Sequence, residues 1–259
     1  MERPQRRLVI GHVPIDVITF DGALDAIEAL VDAKAGGYVV TPNIDHVVLA
    51  ESNVAFREAY QQAALSLVDG QPLVWVSKQV GERLPDKISG SDLIWPLLER
   101  AAKKNWRVYF LGAGPGVAEK AAEVVRARYG TNVVGCDSPM VPKDAQPEAM
   151  KPVFDKLNAA KPDVVLFALG APKQEVLMHR CMALYAPAVG LGIGAGLDFI
   201  AGTVARAPVW MQRAGLEWAY RLSREPKRLW RRYLVDDPKF LVILARTLRR
   251  PMGERVTVR

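Results

Sequence analysis

Cysteine and histidine are scarce in this 259-residue chain, with two of the first and three of the second. Cys136 and Cys181 are too few for a disulfide framework or a zinc cluster, and without a secretory signal they fit a reducing, cytosolic compartment. The N-terminus opens with Glu2, Arg3, Arg6 and Arg7 and passes into the mixed segment 8–20, so the apolar stretch of a targeting peptide is missing. No Asp-x-Asp pair occurs, which removes the usual carboxylate clamp for a divalent metal on a nucleotide diphosphate. The charge-free run Cys181–Leu197 nears the length of a membrane span, but it contains Pro187 and glycines at 190, 192, 194 and 196. A buried strand entering a glycine-rich loop explains it better than a transmembrane helix.

Half of the residues are hydrophobic, enough for a substantial core. The length suits one large α/β domain, or one domain with an appendage. Charge is unevenly spread. Residues 206–259 hold fourteen Lys or Arg against five Asp or Glu, leaving 21 against 23 for residues 1–205. A neutral body with a basic tail marks a surface for something anionic: phosphate, acidic lipid or nucleic acid.

Residues 1–205 read as repeated strand–loop–helix units. Apolar runs at 38–40, 65–68, 107–111, 163–168 and 188–193 each end in small or polar residues. Helical patterns follow from Asp45, over 117–129 and from Lys173. That alternation predicts a Rossmann-like, largely parallel sheet with helices on both faces. The proline-bearing stretch 137–148 reads as a surface loop. Residues 206–259 predict an appendage of basic amphipathic helices, with Pro226 and Pro238 in the first turns of the second and third. Phe240, Leu244 and Leu248 share a helix face, and Trp210, Trp218, Trp230 and Tyr233 add aromatics. Such helices can rest on an anionic membrane, or pack their aromatics on the core and leave a solvated basic face.

Ligands of open parallel sheets bind beyond the carboxyl ends of the strands, so the strand ends are the places to look. Asp69, just after an apolar run and before Gly70, suits a general base; it equally suits a turn or capping aspartate. Thr41 and Asn43 can hydrogen-bond a sugar or base, or simply form a turn. Gly112 opens a G-x-G-x-G loop ahead of a helix, fit for a diphosphate or for close helix–strand packing. Lys173, Gln174 and Glu175 follow Pro172 at a helix start and face the same cleft. Asp198, in an apolar glycine-rich stretch, can bind a ligand or hold a loop. Arg221, Arg224, Arg228, Arg231 and Arg232 would form one cationic ridge on a continuous helix. The scattered histidines, His12, His46 and His179, read as structural.

Together these pieces resemble one family, the WecG/TagA/CpsF glycosyltransferases. The matching stretches run in order along nearly the whole chain: Gly11-His-Val-Pro-Ile-Asp16, Thr41-Pro-Asn43, Asp69-Gly70, Gly90-Ser-Asp-Leu93, Leu111-Gly-Ala113, Ala168-Leu-Gly-Ala-Pro-Lys-Gln-Glu175, Asp198-Phe-Ile-Ala-Gly202, Arg206-Ala-Pro208 and Gly215-Leu-Glu-Trp-Ala-Tyr-Arg221. Glu225-Pro226 and Arg231-Arg-Tyr233 fit as well. The resemblance implies a metal-independent, inverting enzyme without a cofactor. It would move N-acetylmannosamine, its uronic acid or glucose from a UDP-sugar donor to a sugar on polyprenyl diphosphate, in surface polysaccharide assembly at the inner face of the plasma membrane. Asp69 matches the family's base. Thr41, Asn43 and Gln174 match sugar-contacting positions, and Arg221, Arg228 and Arg231 match diphosphate contacts of an appendage closing over the site. Gly70, Asp92, Gly112, Lys173, Glu175 and Asp198 complete the expected substrate-binding set. Val68 stands where relatives carry proline. Cys136–Met140 replaces an aromatic turn, which bears on sugar preference. A nicotinamide-dependent enzyme acting on nucleotide sugars is the alternative, but it needs a G-x-G-x-x-G fingerprint that is missing. Nucleic acid is not expected as a partner, and the oligomeric state, including a homo-oligomer, stays open.

Overall fold

The computed structural model describes residues 6–142 and 144–258. Glu2, Arg3 and Arg259, named or counted above, lie outside the described residues. The chain begins with a hairpin, β1 (Arg6–Ile10) and β2 (Val13–Asp16), turned at Gly11-His12. Seven further strands follow: β3 (Tyr38–Val40), β4 (Leu65–Ser66), β5 (Val108–Gly112), β6 (Val133–Asp137), β7 (Val164–Ala168), β8 (Val189–Gly192) and β9 (Val256–Val258). Between them lie α1 (Phe20–Asp32), α2 (Ile44–Ser52), α3 (Val54–Gln61), α4 (Gln71–Val80), α5 (Gly90–Lys103), α6 (Val117–Tyr129), α7 (Pro147–Ala159), α8 (Lys173–Arg180), α9 (Met182–Tyr185) and α10 (Gly196–Ala201). The tail adds α11 (Val209–Arg213), α12 (Glu217–Arg224), α13 (Pro226–Arg231), a wide π turn over Arg232–Asp236, a 3-10 turn over Asp237–Lys239, α14 (Phe240–Leu248) and α15 (Met252–Arg255).

Six strands form the expected parallel sheet, in the order β4-β3-β8-β7-β5-β6. Its four central strands, β3, β8, β7 and β5, are apolar because both faces are covered. Alternate residues feed two cores: Tyr38, Val40, Val165 and Phe167 on one side, Val39, Val164, Leu166 and Leu191 on the other. Cys181–Leu197 becomes the short α9, strand β8 and the loop into α10. No helix among the described residues is long and apolar enough to cross a membrane.

Two features were not anticipated. The segment 8–20, left above as mixed sequence, supplies strands β1 and β2, and residues 256–258 of the appendage return as a strand beside β1. The appendage is therefore helical except at its end. The second is the face of α14: Phe240 and Ile243 are buried with Thr247, and Leu244 packs against the same core. Leu248 is exposed, together with Leu241 and Val242. Arg246 pairs with Glu51, and Arg250 donates to the Gly11 carbonyl at 2.7 Å. So α14 docks by the face that the spacing of Phe240 and Leu244 marked as apolar, while a second apolar strip points outward.

The hairpin is tied to the parallel sheet through a buried ion pair. Arg7 donates to Asp16 at 2.8 Å, and the second Asp16 oxygen accepts the Ser66 amide at 2.7 Å. Ser66 ends β4, three residues ahead of Asp69.

Candidate active site

A cleft of about 760 Å³ opens over the carboxyl ends of β4, β3, β8 and β7. These four strands are neighbours, so residues of the loops that follow them, Asp69, Thr41, Gly194 and Gly170, meet at one mouth. The appendage forms the facing wall with Glu217, Tyr220, Arg221, Arg224, Arg228 and Arg232.

Of the residues expected at the site, Thr41, Asn43, Asp69, Gly70, Gln174, Glu175, Asp198, Arg221 and Arg228 line this cleft. Asp92, Gly112, Lys173 and Arg231 do not. Lys173 opens α8 outside the lining, and the other three departures each have a physical reason. Gly112 ends β5, which lies beyond β7, away from the cleft; a side chain there would fall 2.6 Å from the Ala168 carbonyl, so close strand packing accounts for it. Asp92 sits behind the wall, where Lys87 lies 2.8 Å from one oxygen and Arg206 holds the other. Burial pushes its carboxyl up, yet the hydrogen bonds from Lys87 and Ser89 outweigh this and hold it low. The cationic ridge assumed a continuous helix. Instead α12 stops at Arg224, Glu225 leaves helical geometry, and α13 starts afresh at Pro226. The new phase turns the Arg231 side chain outward, 76% exposed, and brings Arg232 into the cleft, its Nε 3.3 Å from Asp45.

Asp69 is held by its backbone, whose amide donates to the Pro42 carbonyl at 2.7 Å. Among the described residues no hydrogen bond reaches its half-buried carboxylate. Burial and then the like charge of Glu217 push its pKa up to about 6, against the pull of Lys87 and Arg221. Gln174 is fixed at both ends: its Nε2 donates to Glu175 Oε1 at 3.0 Å, and its Oε1 accepts the Gly194 amide at 3.0 Å. Glu175 is fully buried and its Oε2 has no partner. Burial raises its pKa to about 7. Asp198 accepts from the Thr203 hydroxyl at 3.2 Å, the loop-holding role weighed for it.

Asp45 and Asp237 flank Arg232 at the back of the cleft. Burial raises both, with Asp237 reaching about 6. His46 is buried against Tyr60 at 2.6 Å and burial lowers its pKa to about 3; His179 lies 3.1 Å from the Tyr38 hydroxyl. Arg228 is paired with Glu225, whereas Arg221 and Arg224 hold no ion pair among the described residues. No group of three or more His, Cys, Asp or Glu among the described residues is arranged to hold a metal ion. The sequence reading passed over Lys87, Asp45, Asp237 and Glu217. Only Glu217 had a signal, its place in Gly215-Leu-Glu-Trp218.

The arrangement joins an unpaired, raised carboxylate, a fixed side-chain amide and a wall of arginines, of which Arg221 and Arg224 hold no ion pair among the described residues, over a parallel sheet. These are the parts of an enzyme that moves a group between oxygens while an anion departs. The chain belongs to the glycosyl transferase WecG/TagA/CpsF family, whose model matches residues 8–254, and it is a glycosyltransferase. It is also similar to an N-acetylglucosaminyldiphosphoundecaprenol N-acetyl-beta-D-mannosaminyltransferase of Bacillus spizizenii. The two are 36% identical over 211 residues, which cover 81% of this chain and 79% of that protein.

Proposed function

We propose that the cleft transfers an N-acetylmannosamine-type sugar from UDP to a saccharide carried on polyprenyl diphosphate, with inversion at the anomeric carbon. The observation that carries this reading is the unpaired Asp69 carboxylate facing arginines on the appendage. A carboxyl whose pKa is about 6 is mostly ionised at neutral pH and still basic enough to take a proton from a hydroxyl in the transition state. The acceptor oxygen bonds to the anomeric carbon as the carbon–oxygen bond to UDP breaks, and the acceptor proton goes to Asp69. Attack from the side opposite the leaving group inverts the centre. Negative charge then collects on the diphosphate, where Arg221, Arg224 and Arg228 are placed to receive it, with Arg232 in the position expected of Arg231. Gln174, Asn43 and Thr41 supply neutral hydrogen-bonding groups for sugar hydroxyls. The similarity to the mannosaminyltransferase supports the transferred sugar and the acceptor.

On this reading residues 1–205 hold the catalytic machinery, and residues 206–259 close the site and touch the inner face of the plasma membrane. The exposed Trp210, Trp230, Leu241 and Val242 lie in the chain's most basic segment, as a peripheral surface for anionic lipid requires.

The test is UDP release by purified protein given a panel of UDP-sugars and short polyprenyl-diphosphate acceptors. Release that needs both partners is expected, and Asp69→Asn should reduce it by about 10²- to 10⁴-fold, the range of a lost general base. Full activity in that variant would remove Asp69 from the chemistry.

A further inference from the structure

The carboxylate assigned above as the base has cations around it but none of its own. Lys87 faces Asp69 from the loop ahead of α5, yet its Nζ lies 2.8 Å from Asp92, which also engages Arg206. Arg221 faces it from α12. Four residues earlier on the same helix, hence on the same side, stands Glu217, also in the cleft wall. The Glu217 side chain makes no hydrogen bond or ion pair with another described residue. Asp92, from α5, is the remaining charged group acting on Asp69.

The position of Glu217 is fixed from the Asp69 side of the cleft. Gly215 lies against the Trp75 indole, so close that a side chain carbon there would come within 2.7 Å of the ring. Trp75 belongs to α4, which starts immediately after Asp69-Gly70. The same short piece of chain therefore carries the base and packs against Gly215, two residues ahead of α12.

We propose that Glu217 is a positioning residue for the transfer: the appendage sets its carboxylate against Asp69, and this like charge makes Asp69 a stronger base than the sheet domain alone would. Glu217 gives up and takes no proton. The acceptor hydroxyl proton still goes to Asp69. Glu217 stands second only to burial among the causes that raise Asp69. The inference rests on Asp69 being the base. It adds that residues 206–259 supply base strength as well as cations for the leaving group, so the segment that stabilises the departing diphosphate also prepares the attack.

The test compares full-length wild type with Glu217→Gln, Glu217→Asp and Asp69→Asn. One readout is a ¹³C NMR titration of the aspartate carboxyls, with the Asp69→Asn spectrum assigning the Asp69 signal. The other is kcat and KM against pH for UDP release from UDP-N-acetylmannosamine to a short-chain polyprenyl-diphosphate N-acetylglucosamine acceptor. The Asp69 signal should titrate near pH 6 in wild type. In Glu217→Gln it should titrate lower by about half a pH unit or more. The acidic limb of kcat should move with it. Near pH 5 the variant then keeps about threefold more of its own plateau than wild type does, and the plateau falls about twofold, as a weaker base demands. Glu217→Asp, which keeps the charge, should restore most of both effects.

An Asp69 signal that titrates identically in Glu217→Gln would overturn the proposal. So would a rise in KM with the acidic limb unmoved, which would make Glu217 a sugar contact. Undiminished transfer by Asp69→Asn would instead strike the base assignment; the NMR titration reads the Asp69–Glu217 interaction independently of that result.

Discussion

Asp69 and Asp237 hold protons to about pH 6 and Glu175 to about pH 7, each chiefly because burial penalises the charged form. Between the ordinary carboxyl range and these values the folded protein binds protons that the unfolded chain has released. Stability is therefore fully present below that range and declines as pH rises through it. Glu175 spans the widest interval, from 4.5 to about 7, with one oxygen unpartnered. Glu175→Gln should raise the unfolding free energy at pH 8 by about 3 kcal/mol and leave it unchanged near pH 4. Guanidinium unfolding at both pH values checks this, and an equal gain at both would place the effect outside titration. At this scale the sequence was informative where a residue ends a strand: Asp69, Thr41 and Gln174 were marked by their place after apolar runs. It was uninformative where phase decides. Arg231 and Arg232 are adjacent, and the helix break at Glu225 determines which of them enters the cleft.

Individual elements explain why Gln174 can recognise anything. Strand β8 runs beneath it at Gly192, where a side chain carbon would stand 2.4 Å from the Gln174 Nε2. Gly192→Ala should push the amide out of its two hydrogen bonds and lower kcat/KM for the sugar donor by about tenfold or more, with the fold retained. Steady-state kinetics beside a thermal melt checks it; unchanged kinetics would show that the amide tolerates the shift. The parallel strands were readable because each is a buried apolar run closed by glycine or a polar residue. Strand β6 escaped notice, since most of its residues are only half-buried. The hairpin escaped for another reason: β1 and β2 are four or five residues long, and the third strand of their sheet lies at the far end of the chain.

Across the whole molecule, charge and exposed apolar surface coincide on residues 206–259. Val242 is 72% exposed and Trp230 51%, although several nearby arginines are engaged by the protein itself. Membrane attachment should therefore need both insertion and residual positive charge. Sedimentation with anionic vesicles is expected to fall with added salt, to be weak with zwitterionic vesicles, and to drop several-fold in the double variant Trp230→Ser, Val242→Ser. Binding that ignores salt and both substitutions would assign the exposed strip to a different contact. The basic tail was plain from composition. Which of its arginines remain free for lipid or phosphate was not, because partners such as Glu51 and Asp45 come from distant parts of the chain.

The pairing of Arg6, Arg7 and Leu8 with Val258, Thr257 and Val256 also has a consequence in time. A chain made from its N-terminus can close the β1–β2 hairpin almost at once, but the other edge of β1 waits for Val256–Val258, which come far later in the chain. Until those residues emerge, that strand presents unpaired amides and carbonyls, the kind of edge that recruits neighbouring chains. Exposed Arg6 at its start puts a positive charge on that edge, a guard against self-association until β9 arrives.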